Sequence, residues 1–278
     1  MNRHKLPGTL PQLMGIVNMT EDSFSDGNRY LDPSAATRHA LELLDSGAEI
    51  IDLGAESTRP GASPVPAEIQ MQRLIPVITQ IINQRPETVI SVDTRSAEVA
   101  LNAIQAGAKI INDISALRYD PDLALILADN PHVRVILMHM QGEPQTMQQN
   151  PQYHDLIPEI KAFFEERIIF CQSRGVKSSN IMLDPGIGFG KTLQHNLELL
   201  AGLDEFHTLG LPLVLGTSRK SFINLLSPSS PENRLAGTLA TAAWGVMKGA
   251  AVLRVHDVAE HDQFLKVFCA IAQSEEGV

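Results

Sequence analysis

Residues 46–52 read Ser-Gly-Ala-Glu-Ile-Ile-Asp, and the pattern returns as Ala-Gly-Ala-Lys-Ile-Ile-Asn at 106–112 and Lys-Gly-Ala-Ala-Val-Leu-Arg at 248–254. In each copy a helical stretch ends at a glycine, which can adopt the left-handed conformation that closes a helix. A short apolar run follows, and five positions after the glycine comes a polar residue: Asp52, Asn112 or Arg254. The repeat therefore predicts a helix–glycine–strand unit whose strand ends in a polar side chain.

Further short apolar runs extend this pattern along the chain. They cover 13–17, 89–92, 133–138, 181–183 and 213–215, and they lead to Asn18, Asp93, His139, Asp184 and Gly216. Apolar runs without polar alternation are typical of parallel strands covered on both faces. Eight strands alternating with helices predict a single (β/α)8 TIM barrel domain over residues 1–278, with a doubly wound open sheet as the alternative.

Helical patterns fill the gaps between these strands. Ser34, Pro66 and Ser96 are the predicted starts of the first three helices, and Pro76 predicts a kink or a second start within the second. Further helices are expected over 122–129, 156–174, 193–202, 232–248 and 258–274. In such a barrel the polar residues at the strand ends, His139 among them, converge on one mouth, where barrel enzymes hold their active sites.

Composition excludes several classes of protein. The formal net charge of -10 disfavours nonspecific binding to nucleic acid or an anionic membrane. The chain has no apolar run of the roughly 18 residues that a membrane-spanning helix needs. Its amino terminus lacks the apolar core of a secretory signal. Its two cysteines, Cys171 and Cys269, are far apart and are expected to be reduced. We therefore expect a cytoplasmic enzyme rather than a nucleic-acid or membrane protein.

Cationic residues follow several predicted strands and indicate a small anionic ligand at the mouth. Arg59 follows the second strand, Arg219 and Lys220 follow the seventh, and Arg254 and His256 end the eighth. The loops after strands 7 and 8 are a frequent phosphate site in barrels. The glycine-rich stretch 186–192 is not a P-loop, because Pro185 stands where that motif needs glycine. It can still hold a flat ligand against backbone, with Phe189 available to stack.

Eight segments in order along the chain carry a recognisable set of motifs: 15–27, 52–61, 91–94, 112–114, 138–140, 184–191, 216–221 and 254–257. Together they resemble the signatures of the dihydropteroate synthase family of pterin-binding barrels. Glu21 replaces a proline that is common in the first signature, which affects only local loop shape. The resemblance implies condensation of 6-hydroxymethyl-7,8-dihydropterin pyrophosphate with p-aminobenzoate to give dihydropteroate and pyrophosphate in folate biosynthesis. It also implies a sulfonamide target and a homodimer.

The same resemblance implies roles for individual residues. The pterin would contact Asp93, Asn112, Ile114, Met138, Asp184, Phe189, Gly216 and Lys220. The p-aminobenzoate would contact Phe24, Thr58, Arg59, Pro60, Phe189, Lys220 and Ser221. The diphosphate would contact Asn18, Arg59, Arg254 and His256, with Asn18 also helping to hold Mg²⁺. Lys220, Arg254, Asp184 and His256 are the residues expected to act in catalysis.

Two further expectations concern the mechanism, and some questions stay open. We expect an SN1-like course, and we expect loops 18–32 and 55–65 to close over the bound diphosphate. The sequence leaves open whether Asp22, Asp32 and Asp52 support the site or only cap turns. The alternative functions are a pterin-dependent methyltransferase barrel, a class I aldolase with Lys220 as the Schiff-base amine, and a non-catalytic pterin-binding protein.

Overall fold

A computed structural model describes residues 10–20, 32–57 and 61–276. Within them, eight parallel strands form one sheet in the order β6-β5-β4-β3-β2-β1-β8-β7. The strands are β1 Gln12–Asn18, β2 Ile50–Gly54, β3 Val89–Asp93, β4 Ile110–Asp113, β5 Arg134–Met138, β6 Ile181–Asp184, β7 Val214–Leu215 and β8 Val252–Val255. Leu183 of β6 bridges Leu213, next to β7, and this contact closes the ring. The predicted (β/α)8 barrel is confirmed, and the open sheet is wrong.

The described α-helices lie outside the barrel. They are α1 Pro33–Asp45, α2 Ala67–Gln84, α3 Ala97–Ala106, α4 Leu123–Asp129, α5 Leu156–Ser173, α6 Leu193–Ala201, α7 Ser221–Leu226, α8 Leu235–Met247 and α9 Val258–Glu276. Helices α1 to α8 connect consecutive strands, and α9 follows β8. The buried faces of the helices pack against the outer faces of the strands in one continuous apolar core. No helix in the described ranges is long and apolar enough to cross a membrane.

The barrel interior changes from apolar to polar along the strand direction. A lower layer is apolar and consists of Met14, Ile50, Ile110, Ile136, Met182, Val214 and Val252. Strand side chains alternate between faces, so the residue two positions further along each strand also points inward. That upper layer includes Asp52, Ser91, Asn112, Asp184 and Arg254. The apolar layer therefore forms the floor beneath a polar mouth.

Several helix boundaries differ from the sequence prediction. Asp32, not Ser34, caps α1: its side chain accepts a hydrogen bond from the Ser34 amide at 3.2 Å, and Pro33 supplies the first helical residue. Helix α2 runs through Pro76 without a second start. Ser96 caps α3 as predicted, and Gly107 closes it at φ +117°. The short helix α7 was missed, because six residues contain too little periodicity to detect.

Candidate active site

Arg254 joins two carboxylates at the centre of the barrel mouth. Its Nε donates to Asp52 Oδ2 at 2.6 Å, and its Nη2 donates to Asp93 Oδ2 at 3.2 Å. Asn112 Nδ2 donates to the same Asp52 oxygen at 3.4 Å. Asp52 is fully buried, and buried charges need partners of opposite sign. The Arg254 charge is therefore largely offset by the protein itself.

Asp93 has an unusual acidity for a carboxylate. Burial raises its pKa to about 7, although the Arg254 guanidinium opposes the change. The nearby Asp52, Glu56 and Asp113 carboxylates raise the pKa further by repulsion. Asp93 can therefore exchange a proton close to neutral pH, as groups in functional sites often do.

Two buried polar atoms in the polar layer of the barrel have no hydrogen-bond partner within the described residues. They are Asp52 Oδ1 and Ser91 Oγ, both buried, and these residues are register partners on β2 and β3. Buried polar atoms are nearly always paired in native proteins. An acceptor and a hydroxyl thus remain available at the floor of the mouth.

Asp184 and Lys220 form the opposite side of the mouth. The Gly186 amide donates to Asp184 Oδ1 at 2.8 Å, and a Cβ added at Gly216 would lie 3.8 Å from Asp184 Oδ2. Lys220 Nζ donates to the Ile187 carbonyl. Burial raises the pKa of Asp184 and lowers that of Lys220 to about 8, while attraction between the two charges opposes both changes. The pair combines an acceptor and a donor in a site of low polarity.

Apolar side chains line the wall between these two polar groups. Ile114, Met138, Met140 and Met147 form one buried cluster, with Phe189 packed against it. Lys220 Nζ lies 4.7 Å from the centre of the Phe189 ring, within cation–π distance. Ile114, Met138 and Phe189, which the sequence assigned to the walls around a flat ring, lie together in this cluster.

The residues after β7 and β8 separate into two groups. The amide of His256 donates to Ser218 Oγ at 3.2 Å, and its ring Nδ1 lies 3.0 Å from the same oxygen. Arg219 instead makes a bidentate pair with Asp257, with distances of 3.1 and 2.5 Å. The sequence grouped Arg219 with the anion-binding cations, whereas in the structure a protein carboxylate already pairs with it. Ser221 is exposed at the start of α7.

Asn18 is the residue predicted to bind a metal. It ends β1 at the mouth, and its Oδ1 would lie 3.5 Å from a Cβ added at Gly54. Across the described ranges, no group of three or more His, Cys, Asp or Glu residues could hold a metal ion. Asn18 supplies an amide oxygen at the mouth, which is a ligand type that hard divalent cations accept. Phe24, Thr58, Arg59, Pro60 and Asp22 lie outside the described residues.

His139 does not contribute its side chain to the polar ring, contrary to the sequence prediction. Its ring is buried and meets Phe163 of α5 edge to face at 4.9 Å. Its Nδ1 lies 3.0 Å from Lys191 Nζ, which also donates to the Phe189 carbonyl at 3.1 Å. Burial lowers the pKa of both His139 and Lys191. The sequence analysis did not predict that Lys191 would join His139 to the turn at Phe189, although Lys191 lies within the glycine-rich stretch 186–192.

Comparison with known proteins supports a single family. The sequence matches the family described as pterin binding enzyme over residues 14–256. It is 47% identical over 266 residues to the dihydropteroate synthase of Escherichia coli (strain K12), covering 96% of this chain and 93% of that one. It is 43% identical to the dihydropteroate synthase of Synechocystis sp., covering 95% and 91%.

Solved structures agree with this result. A Yersinia pestis dihydropteroate synthase in complex with a sulfonamide drug superposes with a TM-score of 0.91 at 41% identity, covering 96% of this chain and 98% of that one. A Xanthomonas albilineans dihydropteroate synthase with 4-aminobenzoic acid gives 0.87 at 42% identity, covering 94% and 93%. A structure from the same organism, in complex with 7,8-dihydropteroate, gives 0.82 at 38% identity, covering 94% and 93%.

Proposed function

This chain belongs to the dihydropteroate synthase family of pterin binding enzymes, and from that premise we propose how its barrel mouth carries out the reaction. It is a transferase of folate biosynthesis that condenses 6-hydroxymethyl-7,8-dihydropterin pyrophosphate with p-aminobenzoate, releasing pyrophosphate. The observation that carries our proposal is the placement of Asp184 and Lys220 across the mouth from the Asp93–Arg254–Asp52 network.

The pterin ring binds between these two polar groups. Its amino group and adjacent ring N–H donate side by side, so the Asp184 carboxylate accepts both. Lys220 donates to a ring oxygen or nitrogen on the other side of the ring. Because the Asn112 amide nitrogen is engaged with Asp52, its carbonyl oxygen serves as acceptor beside Asp93. A ring that lacked these donors would leave buried polar groups unpaired, and the site would reject it.

Ile114, Met138 and Phe189 hold the ring in its plane. Their cluster lies beside Asp184 and Lys220, and Gly216 leaves space next to the Asp184 carboxylate because it has no side chain. The walls exclude water, which strengthens each hydrogen bond to the ring. They also orient the pterin methylene group toward the cationic side of the mouth.

Arg254, His256 and Arg59 receive the diphosphate. Negative charge accumulates on the leaving oxygen as the carbon–oxygen bond breaks, and fixed donors aimed at that oxygen stabilise the transition state. Arg254 already pairs with two carboxylates, so its remaining Nη donors contribute mainly directional hydrogen bonds. The net positive charge that attracts the diphosphate therefore comes chiefly from Arg59 and a bound cation, and His256 contributes a hydrogen bond.

We propose Mg²⁺ as that cation, with Asn18 supplying one oxygen ligand. When bound, the ion neutralises part of the diphosphate charge. Asn18 has the hard oxygen that Mg²⁺ prefers, and it lies at the mouth rather than in the apolar floor. A mouth with one amide ligand is suited to an ion that arrives with the diphosphate and keeps several waters.

The condensation follows an SN1-like course. The electron-rich pterin ring stabilises positive charge at the methylene carbon once the diphosphate departs. The amine of p-aminobenzoate then attacks the methylene carbon. Its nitrogen is weakly basic, so the arylammonium that forms is acidic and releases its proton to water without a strong general base. The p-aminobenzoate binds to seven residues: Phe24, Thr58, Arg59, Pro60, Phe189, Lys220 and Ser221. Heavy-atom kinetic isotope effects at the methylene that indicate an associative transition state would refute this course.

We further propose that residues 1–278 form one barrel domain and that two copies associate. Exposed apolar side chains on α8 and α9 support association: Trp244, Met247, Val267 and Ile271. The two helices contact each other, so these side chains come from adjacent elements of the outer layer. Sedimentation of wild type and a Val267→Glu variant tests the dimer.

A cytoplasmic location agrees with the free Cys171 and Cys269.

The first test is direct synthesis. Purified protein is mixed with the pterin pyrophosphate, p-aminobenzoate and Mg²⁺, and dihydropteroate is measured by mass. Product is expected, with Lys220→Ala and Asp184→Asn reducing it strongly and sulfonamides competing with p-aminobenzoate. Pterin binding without product would favour a methyltransferase-like or non-catalytic barrel. An adduct trapped on Lys220 by borohydride would instead indicate an aldolase.

A further inference from the structure

Arg95 holds together the loops on one side of the mouth. It lies two residues after Asp93 and is 7% exposed. Its Nε and Nη2 donate to both Glu56 oxygens at 3.2 to 3.3 Å, and its Nη1 donates to Glu143 at 3.4 Å. Its guanidinium carbon lies 4.2 Å from the centre of the Tyr119 ring. These partners come from the loops after β2, β5 and β4, so one guanidinium joins three loops to the end of β3.

Glu56 fixes both described ends of the β2–α2 connection. It lies two residues beyond β2, and its Oε1 accepts a hydrogen bond from the Val65 amide at 3.1 Å, just before α2. The Gly61 amide donates to the Pro144 carbonyl, next to Glu143, at 3.3 Å. One hydrogen bond thus joins the two described ends of the connection, from Val65 to Glu56. A second joins Gly61 to the β5–α5 loop.

Apolar packing beneath this connection is sparse. A cavity of about 250 Å³ lies between its Pro64–Pro66 end and the side chains of Gln70, Arg95 and Tyr119. Where packed side chains are few, polar contacts determine the position of a loop. Glu56 is only 8% exposed, so its carboxylate also requires a fixed cation.

We propose that Arg95 is a positioning residue for the p-aminobenzoate site. It holds Glu56, and Glu56 sets the two ends of the connection that carries Thr58, Arg59 and Pro60. This inference rests on the proposed function, which assigns those three residues to p-aminobenzoate. Arg95 itself is not a ligand for the diphosphate, because its donors are engaged by Glu56 and Glu143 and its face by Tyr119. An arginine suits this role, since its planar fork bonds one carboxylate bidentately and a second one at the same time.

The test compares Arg95→Met with Arg167→Met. Arg167 is a matched control: it is also 7% exposed, lies 4.2 Å from an aromatic ring centre, that of Phe170, and donates to backbone carbonyls of the β4–α4 loop. Its contacts do not include the β2–α2 connection. Both variants are expected to lower the thermal midpoint. Only Arg95→Met should raise the KM for p-aminobenzoate, by about tenfold, while the KM for the pterin changes by less than about twofold.

The outcomes are distinguishable. Wild type that makes no dihydropteroate refutes the proposed function. Active wild type with equal KM changes for both substrates in Arg95→Met, or with the same pattern in Arg167→Met, refutes the positioning role. If Arg95→Met does not fold, Arg95→Lys is measured in its place. It keeps the charge beside Glu56 but loses the bidentate contact, and it should still raise the KM for p-aminobenzoate selectively, whereas an unchanged ratio of the two KM values would overturn the proposal.

Discussion

Asp93→Asn should make the free protein more stable above neutral pH while weakening its function. Asp93 is buried, and its pKa is raised to about 7. At pH 8 its side chain is therefore ionised in the folded protein, and the ionised form stabilises the fold less than the protonated form would. Asparagine has nearly the same shape and carries no charge. Its side-chain oxygen can still accept the hydrogen bond that Arg254 Nη2 donates to Asp93 at 3.2 Å. The variant therefore removes the unfavourable ionisation and keeps the main contact.

The size of the effect follows from proton linkage. The pKa of an aspartate in the unfolded chain is about 3.9, compared with about 7 for Asp93 in the folded protein. Once the carboxylate is ionised in both states, this difference lowers the free energy of unfolding by ~4 kcal/mol. Because the folded pKa is raised, the contribution of Asp93 to stability is fully present below pH 4 and is lost as the pH rises through 7. The variant should gain little stability at pH 5, about 1 to 2 kcal/mol, and about 4 kcal/mol at pH 8.5.

Urea unfolding at pH 5, 7 and 8.5 measures this directly, with Asp129→Asn, an exposed carboxylate on α4, as the control. The variant is also expected to bind the pterin more weakly, since the proposed function assigns the Asp93 carboxylate to the pterin site. A gain in stability with a loss of function is typical of residues kept for activity. An Asp93→Asn protein that is less stable than wild type at pH 8.5, or whose advantage does not grow with pH, would refute the reasoning.

Two other predictions test single groups. The pKa of Lys220 is lowered to about 8, so kcat/KM for the pterin substrate should fall above about pH 8 as the ammonium loses its proton. Lys220→Arg should remove this alkaline decline at a lower overall rate, and a wild-type rate that stays flat to pH 10 would contradict the assignment. Gly186→Ala should destabilise the protein by more than about 3 kcal/mol, because the new Cβ would lie 1.9 Å from the His139 carbonyl oxygen, a collision in addition to the cost of a positive φ. Gly210→Ala has a similar φ of +69° but meets nothing within 4 Å, so it should cost only about 1 kcal/mol by thermal unfolding, and equal losses for the two variants would argue against the collision.

The barrel was readable from the sequence because its signals are local. Each strand is a short apolar run, and glycines such as Gly107 end helices by their own conformational freedom. The strand-end positions of Asp52, Asn112 and Arg254 followed from spacing alone. The family's signature segments placed Asp184 and Lys220 in the site, because a motif fixes residue type and order along the chain.

Other features of the site depend on contacts between distant segments. His139 stands at a strand end like its neighbours, yet its ring packs on Phe163 of α5 because strand side chains alternate and the inward position belongs to Met138. Arg95 showed no signal in the sequence, since nothing near it indicates that Glu56 and Glu143 will approach from two other loops.

The sequence by itself therefore determined the strand–helix alternation, the strand-end residues and the family, all of which are written in short stretches of chain. Only the tertiary structure decided which charges are available to a ligand. Arg254 and Asp52 are 202 positions apart and meet at 2.6 Å because β8 and β2 both flank β1. Arg219 likewise pairs with Asp257, 38 positions further along the chain. Such pairings follow from closure of the barrel, which brings together side chains whose order along the chain carries no information about their distance.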